Sequence, residues 1–210
     1  MTQIIVARHG ETEWNVSEIF RGRRDVGLNE TGIKQAELLG NYLINLRIEA
    51  VYSSPLKRAL DTARSVAKHH GLDVNVAPGL MDFNYGAWED LTHQVVRDKY
   101  RGLYERWLKE PHLVKIPEGE SLDEVRERAK SVVDRVVSKH SGTVVLVSHR
   151  VVNKVLICSM LGLDNSHFWD IKQDLGGITV FEYEGGRYKL IKHNDTSYLS
   201  QIQQHTLNDF

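Results

Sequence analysis

The stretch GTVVLVSHR at 142–150 decides how the chain is to be read. Its TVVLV run lacks the polar residue at every second place that marks a half-exposed strand, so it reads as a strand covered on both faces. Two other stretches share that character, QIIVA at 3–7 and EAVYS at 49–53. Between them the pattern is helical. Thr31 is placed to cap a helix through GIKQAELLGNYLINL (32–46), and SPLKRALDTARSVAKHH (54–70) continues with Pro55 near a helix start. Ser121 and Glu124 form a capping box at the head of SLDEVRERAKSVVDRVV (121–137). Near the C-terminus, GGITVFEYEGGRYKLIKHN (176–194) reads as a hairpin turning at Gly185 and Gly186. Strands alternating with helices predict an α/β fold, with a mostly parallel central sheet, helices on both faces and a C-terminal hairpin that makes the sheet mixed.

Composition narrows the function classes. The 210 residues carry 27 Lys and Arg against 28 Asp and Glu, a net charge of -1, which gives no footprint for nucleic acid or for an anionic membrane. Gly and Pro are dispersed and no repeat or low-complexity linker divides the chain, so one domain over 1–210 is expected. The single Cys158 cannot form an internal disulfide and lies in the apolar stretch KVLICSMLGL, as a small buried hydrophobe would. No apolar run reaches a membrane-spanning length and MTQIIVARHG lacks the features of a signal peptide, so a reducing, cytoplasmic location is expected.

In a parallel sheet ligands bind beyond the carboxyl ends of the strands. There, the first strand runs into Arg8 and His9, the second into SSPLKR with Arg58, and the third into Ser148, His149 and Arg150. If the three strands are parallel neighbours, two imidazoles and two guanidiniums surround one crevice. Guanidinium forks match phosphate or carboxylate, so the ligand is an anion. No GxxxxGK[ST] loop or acidic cluster of magnesium type is present, which directs the reading to phosphoryl chemistry without a metal. An imidazole among guanidiniums is disfavoured as a cation and keeps its lone pair, which makes His9 the candidate nucleophile. His149 is then a donor to the charge that develops on the transferring group. A carboxylic acid beside the anion must protonate the leaving oxygen.

These residues fall in a larger pattern. RHGETEWN (8–15), FRGRRDVGLNETGIKQA (20–36), YSSPLKRALDTA (52–63), LMDFNYGAWED (80–90), GES (119–121), VSHRVVNKVL (147–156) and NDTSYL (194–199) stand in the order of the histidine phosphatase superfamily, and the chain resembles its phosphoglycerate mutase-like branch over nearly its whole length. The resemblance implies a three-layer α/β sandwich and a phosphohistidine formed on His9, with Arg8, Arg58 and His149 as the phosphate pocket and with no metal or cofactor. It adds Asn15 as a phosphate contact, Arg21 and Gly22 where relatives have a Gln-Gly pair, and Tyr85 as a pocket wall matching a mutase tyrosine. The proton donor falls on Asp82, where most relatives have Glu. An acid one methylene shorter reaches about 1.3 Å less far, so either the backbone compensates or a water intervenes. Asp90 and Arg150 stand where Gly is frequent, and Arg150 either extends the anionic site or points into solvent.

Blander readings stand beside these. Asp82 also suits a turn, with Glu89 or Glu11 as the acid instead, and Tyr85 and Trp88 also suit packing. The histidine pair His69 and His70 is accounted for by a helix C-terminus. Only 91–118 fill the interval before GES, with RDKYRGLYERWLKEP (97–111) as a short helical lid, and this favours water as the phosphoryl acceptor. The expected activity is hydrolysis of a small phosphorylated metabolite; the rivals are a cofactor-dependent phosphoglycerate mutase and a non-catalytic phospholigand-binding protein. The tail SQIQQHTLNDF (200–210) is flexible, folds over the site or pairs with a second copy in a homodimer, and the sequence does not choose among these.

Overall fold

The computed structural model describes residues 1–202. Six strands form one sheet: β1 (Thr2–Arg8), β2 (Ile48–Ser53), β3 (Val74–Val76), β4 (Thr143–Ser148), β5 (Ile178–Glu184) and β6 (Arg187–Asp195). The helices are α1 (Glu13–Val16), α2 (Glu30–Leu43), α3 (Lys57–Ala67), α4 (His93–Lys99), α5 (Arg101–Lys109), α6 (Leu122–Lys139) and α7 (Arg150–Met160). In space the strands run β3-β2-β4-β1-β5-β6. The first four are parallel, while β5 lies antiparallel to β1 and β6 antiparallel to β5.

The apolar strands follow from the two cores they divide. Ile4, Val6, Val144 and Leu146 point into a core shared with α6 and α7, whereas Ile5, Ala7, Val145 and Val147 point into a second core with α2 and α3. Successive side chains of one strand face opposite ways, so a strand between two helical layers must be apolar at every position. The mostly parallel three-layer α/β sandwich expected from the sequence is the observed one. Its hairpin turns at Gly185 and Gly186, with φ of +57° and +80°, the pair of left-handed residues that a tight hairpin turn requires.

Some boundaries differ. Asn29, not Thr31, caps α2, because its side-chain oxygen accepts from Gly32 N at 2.8 Å while Thr31 already lies in the first turn. Pro55 precedes α3 instead of opening it, since Leu56 is still extended and donates its N–H to Ser54 Oγ. The 97–111 stretch is two helices broken at Tyr100, and Tyr104 and Trp107 of α5 are buried in the core. The edge strand β3 has no apolar signal, its VNV being largely exposed. Cys158 is buried, and burial pushes its thiol up to about 11, well away from thiolate chemistry. Of the tail, residues 203–210 lie outside the described residues, and so do the three readings of it. Among the described residues no helix is long and apolar enough to cross a membrane.

Candidate active site

Strand register brings the histidines together. β1 and β4 pair with Arg8 opposite Ser148, so the residues that follow, His9 and His149, leave neighbouring strands at one level, and their ring centroids lie 5.1 Å apart. β2 pairs with the other side of β4, placing Ser54 and α3 beside His149. Thr62 of α3 ties the strand ends to this helix, accepting from Gly10 N at 3.2 Å and donating to the Arg58 carbonyl at 2.8 Å. Gly10 has no room for a side chain, since a Cβ there would stand 2.4 Å from the Gly32 carbonyl oxygen.

His9 is wholly buried. Its Nδ1 lies 2.6 Å from the Gly10 carbonyl. A carbonyl only accepts, so Nδ1 carries the proton and Nε2 keeps the lone pair. Nε2 is buried without a hydrogen-bond partner among the described residues. Burial first, then the charges of Arg58, His149, Arg21 and Arg8, hold the His9 pKa well below its ordinary 6.5. His149 is held down in the same way, by burial and then by Arg58 and Arg21. Its Nε2 meets Ser54 Oγ at 2.8 Å, and its Nδ1 lies 3.4 Å from Asp82 Oδ2.

Arg58 is fully buried and aimed by three acceptors: Nη1 donates to the Arg24 carbonyl at 2.7 Å, and Nη2 to the Gly22 carbonyl and to Asp82 Oδ2, each at 2.8 Å. Gly22 adopts φ +49°, which suits glycine and turns its carbonyl onto Arg58. Arg8 donates through Nη1 to the Gln173 carbonyl at 2.5 Å. Arg21 joins the group, its guanidinium pushed down to about 10 by burial and then by Arg58. The shorter acid reaches the cluster directly, because Asp82 Oδ1 accepts from Phe83 N at 2.8 Å and leaves Oδ2 for Arg58.

Other candidates sit at the margin or elsewhere. Asn15 is buried, but its Oδ1 accepts from Thr12 N at 3.0 Å and Thr12 Oγ1 at 2.9 Å at the head of α1, so only its Nδ2 remains to serve a ligand. Tyr85 is packed at 4.9 Å from Phe20 and 4.7 Å from Phe83, with its hydroxyl towards Arg150. Arg150 is thus turned to the Tyr85 and Arg21 side of the site. Each alternative acid has one oxygen engaged outside the cluster: Glu11 Oε1 accepts from Asn29 Nδ2 at 2.9 Å, and Glu89 Oε1 accepts from Arg23 N at 3.0 Å. Asp90 holds φ +69°, the conformation that makes Gly common there, and pairs with Arg24 at 3.0 Å. Ser54 and Gln173 escaped the sequence reading; Ser54 stands in the quoted SSPLKR, whereas Gln173 acts through its backbone and leaves no residue-type signal. No group of three or more His, Cys, Asp or Glu among the described residues is arranged to hold a metal ion.

The buried imidazoles make stability depend on pH. With folded pKa values of His9 and His149 well below 6.5, and of His93 lowered to about 4 by burial and Arg150, the folded protein binds fewer protons than the unfolded chain between about pH 4 and 6.5. Stability is then fully present above pH 6.5 and declines on acidification, by up to about 1.4 kcal/mol per pH unit for each histidine. Carboxylates such as Glu124, held down to about 2 by its Lys115 hydrogen bond, add their loss only below about pH 4.5. Urea unfolding at pH 7, 6 and 5 should show a steady fall in stability; equal stabilities at pH 7 and 5 would contradict this account.

Three guanidiniums and two neutral imidazoles beside one carboxylate form a site for an anion with a nucleophilic nitrogen in reach. The family model of the histidine phosphatase superfamily, branch 1, matches residues 4–196. The chain is 36% identical over 203 residues to phosphoserine phosphatase 1 of Hydrogenobacter thermophilus, covering 96% of both chains. The solved structure of YhfR from Bacillus stearothermophilus superposes with a TM-score of 0.91 at 31% identity, over 95% of this chain and 100% of that one. A mutant phosphoserine phosphatase from Entamoeba histolytica in complex with phosphoserine superposes with a TM-score of 0.84 at 29% identity, over 95% and 100% of the two chains. The chain belongs to the histidine phosphatase superfamily, branch 1, and is a phosphatase-type hydrolase.

Proposed function

We propose that the protein hydrolyses a small phosphate monoester in two steps through a phosphohistidine on His9, with no metal. The observation that carries this reading is the His9 Nε2 lone pair, buried, without a partner among the described residues and surrounded by guanidiniums. In the first step Nε2 bonds to phosphorus, the ester P–O bond breaks, and the leaving oxygen takes a proton from Asp82 Oδ2. In the second step the Asp82 carboxylate takes a proton from water, the water oxygen bonds to phosphorus, and the N–P bond breaks to release phosphate.

Arg8, Arg58 and His149 hold the phosphoryl oxygens, with Asn15 Nδ2 as a further donor. Arg21, Gly22 and Tyr85 line the side where the rest of the substrate lies. The 91–118 segment, with α4 and α5, covers that side as a lid. The relatives named for phosphoserine phosphatase support a compact phosphorylated metabolite such as phosphoserine as substrate. A buried, unreactive lone cysteine agrees with a cytoplasmic location.

The test is phosphate release from phosphoserine, 3-phosphoglycerate and sugar phosphates, with and without a chelator, with isomerisation of 3-phosphoglycerate followed in parallel. Release that survives the chelator is expected. Isomerisation with little free phosphate would convert the reading to a mutase, and binding without turnover to a phospholigand-binding protein.

A further inference from the structure

We infer that the ion pair between Glu120 and Arg128 is a positioning device that sets the Asp82 carboxyl at the reaction centre; this rests on the role proposed above for Asp82. Arg128, on α6, makes a two-pronged pair with Glu120, Nε to Oε1 at 2.9 Å and Nη2 to Oε2 at 3.0 Å. Its remaining donors all go to the chain that carries Asp82: Nη1 to the carbonyls of Gly79 at 2.8 Å and Met81 at 2.6 Å, and Nη2 to that of Asp82 itself at 3.1 Å. A guanidinium has five N–H donors, and here each has an acceptor.

Glu120 completes the clamp from the other direction. Its Oε2 accepts from Asn84 N at 3.0 Å, two residues beyond Asp82, and its Oε1 accepts from Arg23 Nη2 at 2.9 Å. Arg23 lies in the loop whose Gly22 and Arg24 carbonyls aim Arg58. One ion pair therefore grips the acid's segment on both sides and links it to the loop that sets the Arg58 guanidinium, 2.8 Å from Asp82. The pair is only partly exposed, Glu120 at 14% and Arg128 at 20% of their side chains, so water competes weakly for these bonds. A segment of loop and short helical turn holds no such position through its own backbone bonds, and an acid that must meet a leaving oxygen within hydrogen-bond reach needs it held. Lysine cannot reproduce a planar fork with five directed donors.

The experiment compares kcat/KM of Arg128→Ala, Arg128→Lys and Glu120→Gln on an alkyl phosphate, phosphoserine, and on p-nitrophenyl phosphate. This constant covers binding and transfer to His9, and only the alkyl leaving group requires the proton. Arg128→Ala should lower kcat/KM on the alkyl ester at least tenfold more than on the aryl ester, Glu120→Gln should lie between it and wild type, and Arg128→Lys should restore only part. A general loss of structure would lower both esters alike. Equal losses on both esters in folded Glu120→Gln and Arg128→Lys proteins, or no loss in any variant, would overturn the inference, and these two near-isosteric changes carry the test if Arg128→Ala does not fold. Failure of the underlying reading shows itself separately, as equal slowing of both esters by Asp82→Asn.

Discussion

His9→Ala should lower turnover of every phosphate ester, activated or not, by on the order of 10⁴-fold or more, because no other buried nitrogen among the described residues has both the lone pair and the placement to take the phosphoryl group. His149 is not a substitute. Its Nε2 is engaged with Ser54 and its Nδ1 faces Asp82. The alanine protein should remain folded, since the side chain removed is neutral and makes one hydrogen bond, to the Gly10 carbonyl. It should also still bind inorganic phosphate, seen as a rise in melting temperature, because Arg8, Arg58 and His149 are untouched. The wild-type protein quenched in alkali during turnover should carry phosphate on His9, and the variant none. Turnover by His9→Ala within tenfold of wild type would remove the nucleophile from the mechanism, and with it the two-step route.

The second large effect is expected at Asp82. Asp82→Asn keeps the shape of the side chain but supplies no acidic proton, so kcat/KM on phosphoserine should fall by about 10² to 10⁴-fold. On p-nitrophenyl phosphate, whose leaving group departs as a stable phenolate, the fall should be less than about tenfold. Removing the charge 2.8 Å from Arg58 also leaves that guanidinium without its carboxylate, so inorganic phosphate should inhibit the variant more strongly than wild type. Equal slowing of both esters would take the proton-donor role from Asp82. Glu11 and Glu89 would be poor heirs, as each has one oxygen engaged outside the cluster, by Asn29 and by Arg23.

Both effects separate a phosphatase from its rivals in a useful order. A protein that binds phosphate without chemistry would show no phosphohistidine and no leaving-group dependence in any variant. A mutase would form the phosphohistidine and depend on Asp82, yet return the phosphoryl group to a hydroxyl of the substrate. The phosphate-release and isomerisation measurements therefore decide between acceptors, and the two substitutions decide whether the nitrogen and the acid are the working groups.

Much of the fold was legible because burial on two faces writes itself into composition. β1 and β4 have apolar residues at successive positions since each strand divides two cores, and the capping box at Ser121 and Glu124 and the Gly185-Gly186 turn are local devices whose residue types state their geometry. The edge strand β3 was not legible, because an exposed three-residue strand is held by its neighbour β2 and not by its own pattern. The start of α2 was misplaced for a similar reason: Asn29 and Thr31 are both good caps by type, and the choice of Asn29 accompanies the contacts of Glu11 and Gly32 with the end of β1.

Local pattern was enough for the layered α/β architecture and for the residue types at the strand ends, since strand period, helix period and the polar residues that follow each strand are properties of nearest neighbours in the chain. Tertiary structure alone decided that His9 carries its proton on Nδ1 and presents Nε2, that Asp82 reaches Arg58 despite its short side chain, and that Glu120 and Arg128 hold the acid's segment. The contacts of Asp82 and its segment join residues 24 to 46 positions apart, where distance in the chain carries no information about distance in space, and the His9 tautomer, though set by the adjacent Gly10 carbonyl, depends on a ring orientation that no residue type states.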